Sequence, residues 1–217
     1  RVNTHLILKK HTESLKEANQ ELDSFCYTVS HDLKAPLLSL SKLVEILTED
    51  HINQLDEDGK ELVFNIQEKS TEIIQTIDRL LEFSKMCEMK FHYQSINLYD
   101  IFIDVYNDLK TIEPHRKVLL NIQPLPLVNG DRVMLKLLIS NILSNAFKYT
   151  RNKETAIIDV QPKEGNNEYV FSISDNGAGF DMRYSSRLFG VFQRLHSKDE
   201  FEGSGVGLAI CQRILKR

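Results

Sequence analysis

The sequence contains no apolar run that approaches the ~18 residues of a membrane-spanning helix, and no signal peptide opens it. Its formal net charge of -4 gives no electrostatic case for binding nucleic acid. Cysteine is scarce: Cys26, Cys87 and Cys211 are odd in number and far apart, so they fit neither a disulfide framework nor a zinc site. These absences predict a cytoplasmic chain in a reducing compartment, without a nucleic-acid partner.

The 217 residues are enough for one or two domains with a buried core. The chain begins with Arg1 rather than methionine and starts inside a regular helical pattern, so we expect a fragment of a longer protein. The residues leave open whether a membrane anchor or a sensor segment precedes it in the full-length protein.

The first part of the chain predicts two long helices. Residues 1 to about 48 carry mostly apolar side chains at alternating spacings of three and four, which is the seam of a coiled coil. The seam comprises Leu8, His11, Leu15, Ala18, Leu22, Phe25 and Val29. After a polar turn at 50–59, in which Asn53, Asp58 and Gly59 act as turn residues, a second helix runs to about residue 87.

The second helix has an apolar side of its own. It comprises Leu62, Ile66, Ile73, Ile77, Leu80 and Leu81. A lone helical hairpin cannot bury both apolar stripes, so residues 1–90 are expected to pair with a second copy. The pattern therefore predicts a homodimer held by a four-helix bundle.

Residues 30–37 place a titratable nucleophile beside a carboxylate. His31 lies two residues past Val29, so it falls on the flank of the seam, where another molecule can reach it. Imidazole is a good nucleophile near neutral pH, and Asp32 can orient its ring and share its proton. Pro36 cannot donate to the helix and is expected to bend it just past the histidine. Taken alone, the stretch leaves open a surface histidine beside a solvated aspartate.

Residues 91–217 mix helices and strands and predict a two-layer α/β sandwich, so that the whole chain is of the α+β class. Asp131 is expected to cap a strong helix at 132–149. The other predicted elements are an apolar run and helix at 96–109, strands at 118–122, 155–160 and 169–173 with a turn at 164–167, a short helix near Ser186 and a last helix from Val206.

The helix after Asp131 carries unusual polar residues. Asn141 and Asn145 lie on one face at a spacing of four, with Lys148 three residues further on, although asparagine is a poor residue for a helix interior. An amide oxygen suits Mg²⁺, Lys148 can neutralise phosphate charge, and Tyr149 can lie against a base. For any one of these residues, a plain polar helix face remains the alternative.

Two glycine clusters follow. Asp175, Gly177 and Gly179 come directly after an apolar strand, where glycine lets a backbone approach a ligand and Asp175 could accept from an exocyclic amine, although a plain tight turn has the same composition. The second cluster, Gly203, Gly205 and Gly207, opens a helix whose free N–H groups favour phosphate. Neither cluster is a dinucleotide GxGxxG or a GxxxxGK[ST] motif, which disfavours those nucleotide folds.

The order of these motifs resembles the sensor histidine kinases of two-component systems, over nearly the whole chain. The resemblance lies in a phosphoacceptor H box at 30–37, an N box at 141–149, a first glycine box at 175–179, an F box at 189–192 and a second glycine box at 203–207. The stretch 188–197 is most similar to kinases that follow phytochrome or PAS-type sensors.

The resemblance implies an ATP-dependent protein-histidine kinase. His31 would attack the γ-phosphate with Asp32 orienting it, and the group would pass to an aspartate on the receiver domain of a response regulator. Asn145 would hold Mg²⁺ with support from Asn141, and Asp175 would recognise adenine. The remaining ATP contacts would come from Lys148, Tyr149, Arg194, Gly177, Gly179, Gly203, Gly205 and Gly207. An upstream sensor domain on the same full-length chain is also implied.

The chain departs from the family in two places. Such catalytic domains continue past the second glycine box with a His-Gly-Gly turn and two further strands, whereas this sequence stops at Arg217, so we expect it to be truncated. Bifunctional relatives carry an acid-x-x-Thr/Asn motif after the histidine, in which the last residue positions a hydrolytic water. Here Ala35 stands in that place, which argues against phosphatase activity.

Two other functions share part of this pattern. An ATPase of the gyrase or chaperone kind shares the nucleotide fold, but it does not account for His31 or the bundle and usually has a glutamate base where Asn141 stands. A dimeric scaffold with a degenerate ATP domain is disfavoured by the intact Asn145 and Asp175, and favoured by the missing C-terminal strands.

Overall fold

The structure is a computed structural model that describes residues 2–85, 91–163, 168–197 and 200–217. The chain divides into two units, Arg1–Met89 and Lys90–Arg217. Together, a helical hairpin and a following α/β unit confirm the expected α+β class. Within the described ranges, no helix combines the length and the apolar character needed to cross a membrane.

The first unit is a pair of packed helices. Helix α1 (Val2–Ile46) continues through Pro36 and ends in a single π turn (Leu47–His51), followed by a 3₁₀ turn (Ile52–Gln54). Helix α2 is Glu57–Lys85. The hairpin has the two long helices that the sequence predicts.

The start of α2 differs from the prediction, which placed Asp58 and Gly59 in the turn. The Asp56 side chain accepts a hydrogen bond from the Gly59 N–H at 2.8 Å, and its carbonyl accepts from the Lys60 N–H at 3.0 Å. Asp56 is therefore the N-cap, and Gly59 lies in the first turn of the helix. The favourable cap outweighs the poor helix propensity of the glycine.

A single line of α2 faces α1. Its buried residues, Val63, Ser70, Ile77 and Ser84, recur every seven positions. Ile77, a member of the predicted apolar stripe, is only 5% exposed within one chain, so the hairpin itself buries it. Three other members of that stripe remain outside in a single chain: Leu62, Ile66 and Ile73 are 62%, 46% and 47% exposed.

The second unit holds helices and strands in the predicted mixture. Its elements are β1 (Gln94–Asn97), α3 (Leu98–Ile112), β2 (Lys117–Ile122), β3 (Leu127–Gly130), α4 (Arg132–Tyr149), β4 (Thr155–Lys163), β5 (Val170–Asp175), a 3₁₀ turn (Met182–Arg187) and α5 (Gly207–Lys216). The main sheet has the order β2-β4-β5, with β2 parallel and β5 antiparallel to β4. Strands β1 and β3 form a separate antiparallel pair.

The core of this unit follows from simple periodicities. In β4, Ala156, Ile158 and Val160 are fully buried and alternate with more exposed residues, as expected for a strand with one covered face. In α3, buried Ile101 and Val105 lie one turn apart and pack in the same cluster as residues of α4. The sheet and its helices thus enclose one apolar layer between them.

Strand β3 was not predicted. It has only four residues and pairs with the equally short β1, with Ile96 opposite Val128. Strands this short have too few alternating apolar and polar residues to be distinguished from a loop in the sequence. Each forms here because the other supplies its backbone hydrogen-bond partners.

Some predictions concern residues outside the described part. They are the turn at 164–167, the side chains of the coiled-coil seam from Leu8 to Phe25, and the thiols of Cys26 and Cys87. Cys211 is described: it is buried and free, and burial raises its pKa to about 12, so the thiol stays protonated.

Asp131 caps α4 as predicted. Its Oδ1 accepts from the N–H groups of Val133 at 2.9 Å and Met134 at 3.1 Å, while Oδ2 accepts from the His92 N–H at 2.9 Å. The hydrogen bond from His92 is the largest cause that holds the pKa of this carboxyl below its ordinary value. The carboxylate therefore joins the segment before β1 to the start of α4.

Replacing Asp131 by alanine is expected to lower the free energy of unfolding by about 1 kcal/mol, because α4 loses its cap. Because the folded-state pKa of Asp131 is lowered, its contribution is complete above the unfolded pKa and is lost as pH falls through the folded one. Urea unfolding across the acid range measures both effects.

Asp131→Asn is the matched variant for the pH dependence, since it keeps one cap oxygen but removes the charge. Stability of this variant should vary less with pH in that range. An Asp131→Ala chain as stable as the unmodified protein at neutral pH would contradict the assigned role.

Candidate functional site

His31 is exposed on α1. Ser30 is buried, only 1% exposed, and the next residue points about 100° further round the helix, so the His31 side chain projects outward and is 70% exposed in a single chain. Its Nδ1 lies 3.3 Å from Asp32 Oδ1, and the Tyr27 ring stacks against the imidazole at a centroid distance of 6.3 Å.

The contact with Asp32 determines what His31 can do chemically. A carboxylate only accepts, so the contact favours the tautomer with hydrogen on Nδ1 and leaves the lone pair of Nε2 free to attack an electrophile. Both side chains are about 70% exposed, so the contact orients the ring without adding much stability. One turn on, Lys34 pairs with Asp78 of α2 and ties the helices together near the histidine.

On α4, Asn141 is turned against the start of α5. It is 7% exposed, and its amide Nδ2 donates to the Leu137 carbonyl at 2.9 Å. A Cβ added to Gly207 would lie 2.7 Å from Asn141 Oδ1, so glycine permits this close approach of α5. Asn145 follows one turn later on α4 and is half-buried.

The last residues of α4 contact both glycine clusters. Lys148 Nζ lies 4.3 Å from the centre of the Tyr149 ring, and a Cβ on Gly203 would lie 3.1 Å from this Nζ. The Tyr149 carbonyl accepts from the Ala178 N–H at 3.1 Å. Burial raises the pKa of the Tyr149 phenol above its ordinary value.

The loop after β5 is anchored at its first residues. Asp175 Oδ1 accepts from the Gly177 N–H at 2.9 Å. Asn176 binds the backbone of β4: its Oδ1 accepts from Ile157 N–H at 3.0 Å and its Nδ2 donates to the Thr155 carbonyl at 3.1 Å. A Cβ on Gly177 would lie 2.7 Å from the Tyr149 carbonyl oxygen, so a side chain there would push the loop away from α4.

The second glycine cluster leads into α5 with groups that can receive an anion. Gly203 and Gly205 have φ of 141° and 70°, values that favour glycine. No side chain caps the first turn of α5, and in the described part of the chain the buried Ser204 Oγ has no hydrogen-bond partner. Free N–H groups and an unpaired hydroxyl fit a bound phosphate.

Arg194 is engaged with backbone in this structure. Its Nη2 donates to the carbonyls of Ser197, at 3.3 Å, and of Phe201. It thereby holds the segment that leads to the second glycine cluster. Two residues earlier, Phe192 has a φ of 62°, a strained conformation for an aromatic residue.

The structure brings most of the predicted site residues of the second unit together around the end of α4. Direct contacts or close approaches join Asn141, Lys148, Tyr149, Asp175, Gly177, Gly203 and Gly207. Gly179 and Gly205 take left-handed conformations in the adjoining loops. His31 and Asp32 lie in the other unit.

The sequence did not single out several residues that shape this site. Arg116 donates to the Phe147 carbonyl and to Thr150 Oγ1, both at 2.6 Å, at the end of α4. His196 and Phe201 contact Tyr149 through their rings. These residues are distant in the chain or lie in loops without periodicity, so the only available signal was the presence of aromatic residues beside a glycine cluster.

Comparison with known families gives two matches that cover separate parts of the chain. The family described as His Kinase A (phospho-acceptor) domain matches residues 21–87. The family described as Histidine kinase-, DNA gyrase B-, and HSP90-like ATPase matches residues 130–217. The chain therefore belongs to the sensor histidine kinases, which confirms the expectation from its motifs.

Among curated proteins, the chain is similar to cyanobacterial phytochromes and to proteins named as histidine kinases. Cyanobacterial phytochrome A of Nostoc sp. is 33% identical over 93% of this chain and 26% of its own length, and the phytochrome-like protein Cph1 of Synechocystis sp. is 29% identical over 94% and 27%. The methanogenesis regulatory histidine kinase FilI of Methanothrix harundinacea is 28% identical over 96% and 24%. The chain thus spans about a quarter of the length of these relatives.

Solved structures agree on the fold. Full-length ShkA, crystallised in complex with AMPPNP, has a TM-score of 0.61 at 19% identity, over 87% of this chain and 40% of that chain. Histidine kinase AdeS of Acinetobacter baumannii has a TM-score of 0.53 at 16% identity, over 86% of each chain.

Proposed function

We propose that this chain is the kinase core of a two-component sensor: it binds ATP, phosphorylates His31 and passes the phosphoryl group to an aspartate on a response regulator. The proposal rests on the arrangement at the end of α4, where Lys148 and Tyr149 lie beside both glycine clusters. Residues 1–90 form the dimerisation and phosphoacceptor part, and residues 91–217 form the ATP-binding part.

The nucleotide contacts follow from the groups that surround this point. The Asp175 carboxylate is exposed, and only its Oδ1 contacts the Gly177 N–H. Its Oδ2 is therefore the oxygen that accepts from the exocyclic amine of adenine. Tyr149 lies against the base, and Gly177 and Gly179 let the backbone approach it. The phosphates are held by Lys148, Arg194, Gly203, Gly205, Gly207 and the N–H groups at the start of α5. Arg194 has five N–H donors, so its backbone contacts leave donors for phosphate.

Asn145 is the proposed ligand of Mg²⁺, which would neutralise phosphate charge when bound. A half-buried amide one turn after Asn141 offers the hard oxygen that this ion prefers. Asn141 supports it: its Nδ2 is fixed on the Leu137 carbonyl, so its Oδ1 is held towards the beginning of α5.

His31 acts as the nucleophile. The Nε2 lone pair attacks the γ-phosphorus, an N–P bond forms, and the bond from phosphorus to the bridging oxygen breaks as ADP leaves. Asp32 accepts from Nδ1–H and stabilises the positive charge that develops on the ring. The aspartate of the regulator then displaces the imidazole, which restores His31. Catalysis consists mainly of positioning and charge neutralisation.

The first unit acts as a homodimer. Leu62, Ile66 and Ile73 leave apolar surface open on α2, and Leu40 and Leu43 are 44% and 65% exposed on α1. A second copy would cover these faces in a four-helix bundle. The use of ATP suits a cytoplasmic location, downstream of a sensor domain on the full-length chain.

Incubation with ATP and Mg²⁺ is expected to yield a phosphoprotein whose label is lost in acid and retained in base, as an N–P bond requires. His31→Gln should abolish the label and leave ATP binding unchanged, because the nucleotide site lies in the other unit. His51→Gln, another exposed histidine of the first unit, is the control and should label normally. Label that persists on His31→Gln would refute the assignment.

Asn145→Ala should lower the rate of autophosphorylation by on the order of 100-fold and make nucleotide binding less dependent on Mg²⁺, because a metal ligand is lost. Asp175→Asn should instead reduce the preference for ATP over GTP. Calorimetric titrations with and without Mg²⁺ distinguish the two effects, and Asn107→Ala on the exposed side of α3 serves as the control. Normal labelling of Asn145→Ala would show that the metal role is wrong.

Ile73→Lys is expected to weaken dimerisation at least about tenfold, since burial of an isoleucine contributes about 1.5–3 kcal/mol and a lysine would place a charge in the interface. Sedimentation of the whole chain measures the change. Ile112→Lys, at a 76% exposed position of α3, should leave association unaltered. An unmodified chain that sediments as a monomer at micromolar concentration would contradict the dimer.

The kinase is expected to have weak phosphatase activity, because the Ala35 methyl group cannot hold a hydrolytic water one turn after His31. The Ala35 carbonyl, moreover, already accepts from Ser39 Oγ at 3.2 Å. The measurement is phosphate release from phosphorylated regulator without ADP, beside Ala35→Thr. Fast release by the unmodified chain, without gain in the variant, is the result that this prediction excludes.

A further inference from the structure

Three rings from two segments meet beside the first glycine cluster. The Tyr149 ring, at the end of α4, lies 5.2 Å from the His196 ring and 5.1 Å from the Phe201 ring, and the last two are 5.0 Å apart. Phe201 is 5% exposed and the His196 side chain is 20% exposed. The cluster therefore covers part of the ring that is proposed to lie against the base.

His196 also makes a polar contact with the glycine loop. Its Nε2 lies 2.9 Å from the Gly179 carbonyl oxygen. A carbonyl only accepts, so Nε2 carries the hydrogen and donates. Gly179 has a φ of 65°, and a Cβ there would have nothing within 4 Å, so space is open on that side of the residue. The imidazole fastens Gly179 through its carbonyl oxygen.

The segment that carries His196 is itself held in place. Arg194 donates to the carbonyls of Ser197 and Phe201, and the Ser197 N–H donates to Glu200 Oε2 at 3.4 Å. The imidazole is thus fixed between its own segment on one side and the Gly179 carbonyl on the other. Because the ring is held from both sides, it can fix the position of the loop at 175–179.

We propose that His196 is a positioning residue of the nucleotide site, which holds the loop at 175–179 against Tyr149 through its Nε2–H and so keeps Asp175 in register with the base. This rests on the proposed function, because it assigns the base to that loop. His196 contacts Tyr149, Phe201 and the Gly179 carbonyl, on the base side of the proposed site, so its effect should be confined to recognition of the base.

Two variants separate the hydrogen bond from the ring. His196→Phe keeps an aromatic ring beside Tyr149 and Phe201 but cannot donate to the Gly179 carbonyl. His196→Gln loses the ring but carries an amide N–H at a position close to that of Nε2. If the hydrogen bond positions the loop, only the phenylalanine variant should impair base recognition.

The experiment is calorimetric titration of the whole chain with ATP and, separately, with inorganic tripolyphosphate, which has no base. His196→Phe is expected to weaken ATP binding about fivefold, the usual effect of one lost hydrogen bond, and to leave tripolyphosphate binding within about twofold. His196→Gln should bind ATP within about twofold of the unmodified chain. Without nucleotide, amide hydrogen exchange at Ala178, whose N–H is bonded to the Tyr149 carbonyl, should quicken in the phenylalanine variant alone.

The possible outcomes distinguish a failure of this inference from a failure of the proposed function. An unmodified chain that binds neither ligand overturns the proposed function and this inference with it. ATP binding that is normal in His196→Phe overturns the inference alone. Equal loss of ATP and tripolyphosphate binding in both variants also overturns it, since it would show that His196 only maintains the fold of its segment.

Discussion

The second unit depends on how the C-terminal carbonyls of α4 are satisfied. A helix leaves its last four carbonyls without partners in the helix, and here each one accepts a hydrogen bond. The Ala146 carbonyl accepts from Thr150 Oγ1, and the Phe147 carbonyl accepts from Arg116 at 2.6 Å. The Lys148 carbonyl accepts from the Arg151 N–H, and the Tyr149 carbonyl accepts from the Ala178 N–H at 3.1 Å. Two of these donors come from remote segments, so the end of the helix is also the point where the loop after β5 is attached.

This requirement explains the glycines next to the helix. The Ala178 N–H can reach the Tyr149 carbonyl only if the preceding residue has no side chain, because a Cβ on Gly177 would lie 2.7 Å from the same oxygen. A Cβ on Gly207 would lie equally close to Asn141 Oδ1. The absence of side chains lets both loops close on α4, and the same closeness is what a ligand needs in order to contact backbone N–H groups.

The sequence predicted well the features that depend on residue spacing over a short range of the chain. The cap at Asp131, helix α4 and the strand at 155–160 follow from spacing within one element. The pair β1 and β3 was missed because each exists through the other, and Arg116 because its partner Phe147 is 31 residues away. The apolar stripe of α2 was predicted, but a stripe wider than one line cannot show that Ile77 faces α1 while Ile73 stays exposed.

The site residues divide in the same way. Asn141, Lys148 and Asp175 could be named from residue type and order. The sequence could not show that Asn141 Nδ2 donates to the Leu137 carbonyl or that Arg194 donates to the Phe201 carbonyl. Such contacts arise where a polar group must be satisfied as it leaves water, and that depends on neighbours brought by the fold. His31 is the opposite case. Its exposure follows from local geometry alone, beside a buried Ser30 and an adjacent Asp32, so the proposed nucleophile stays accessible.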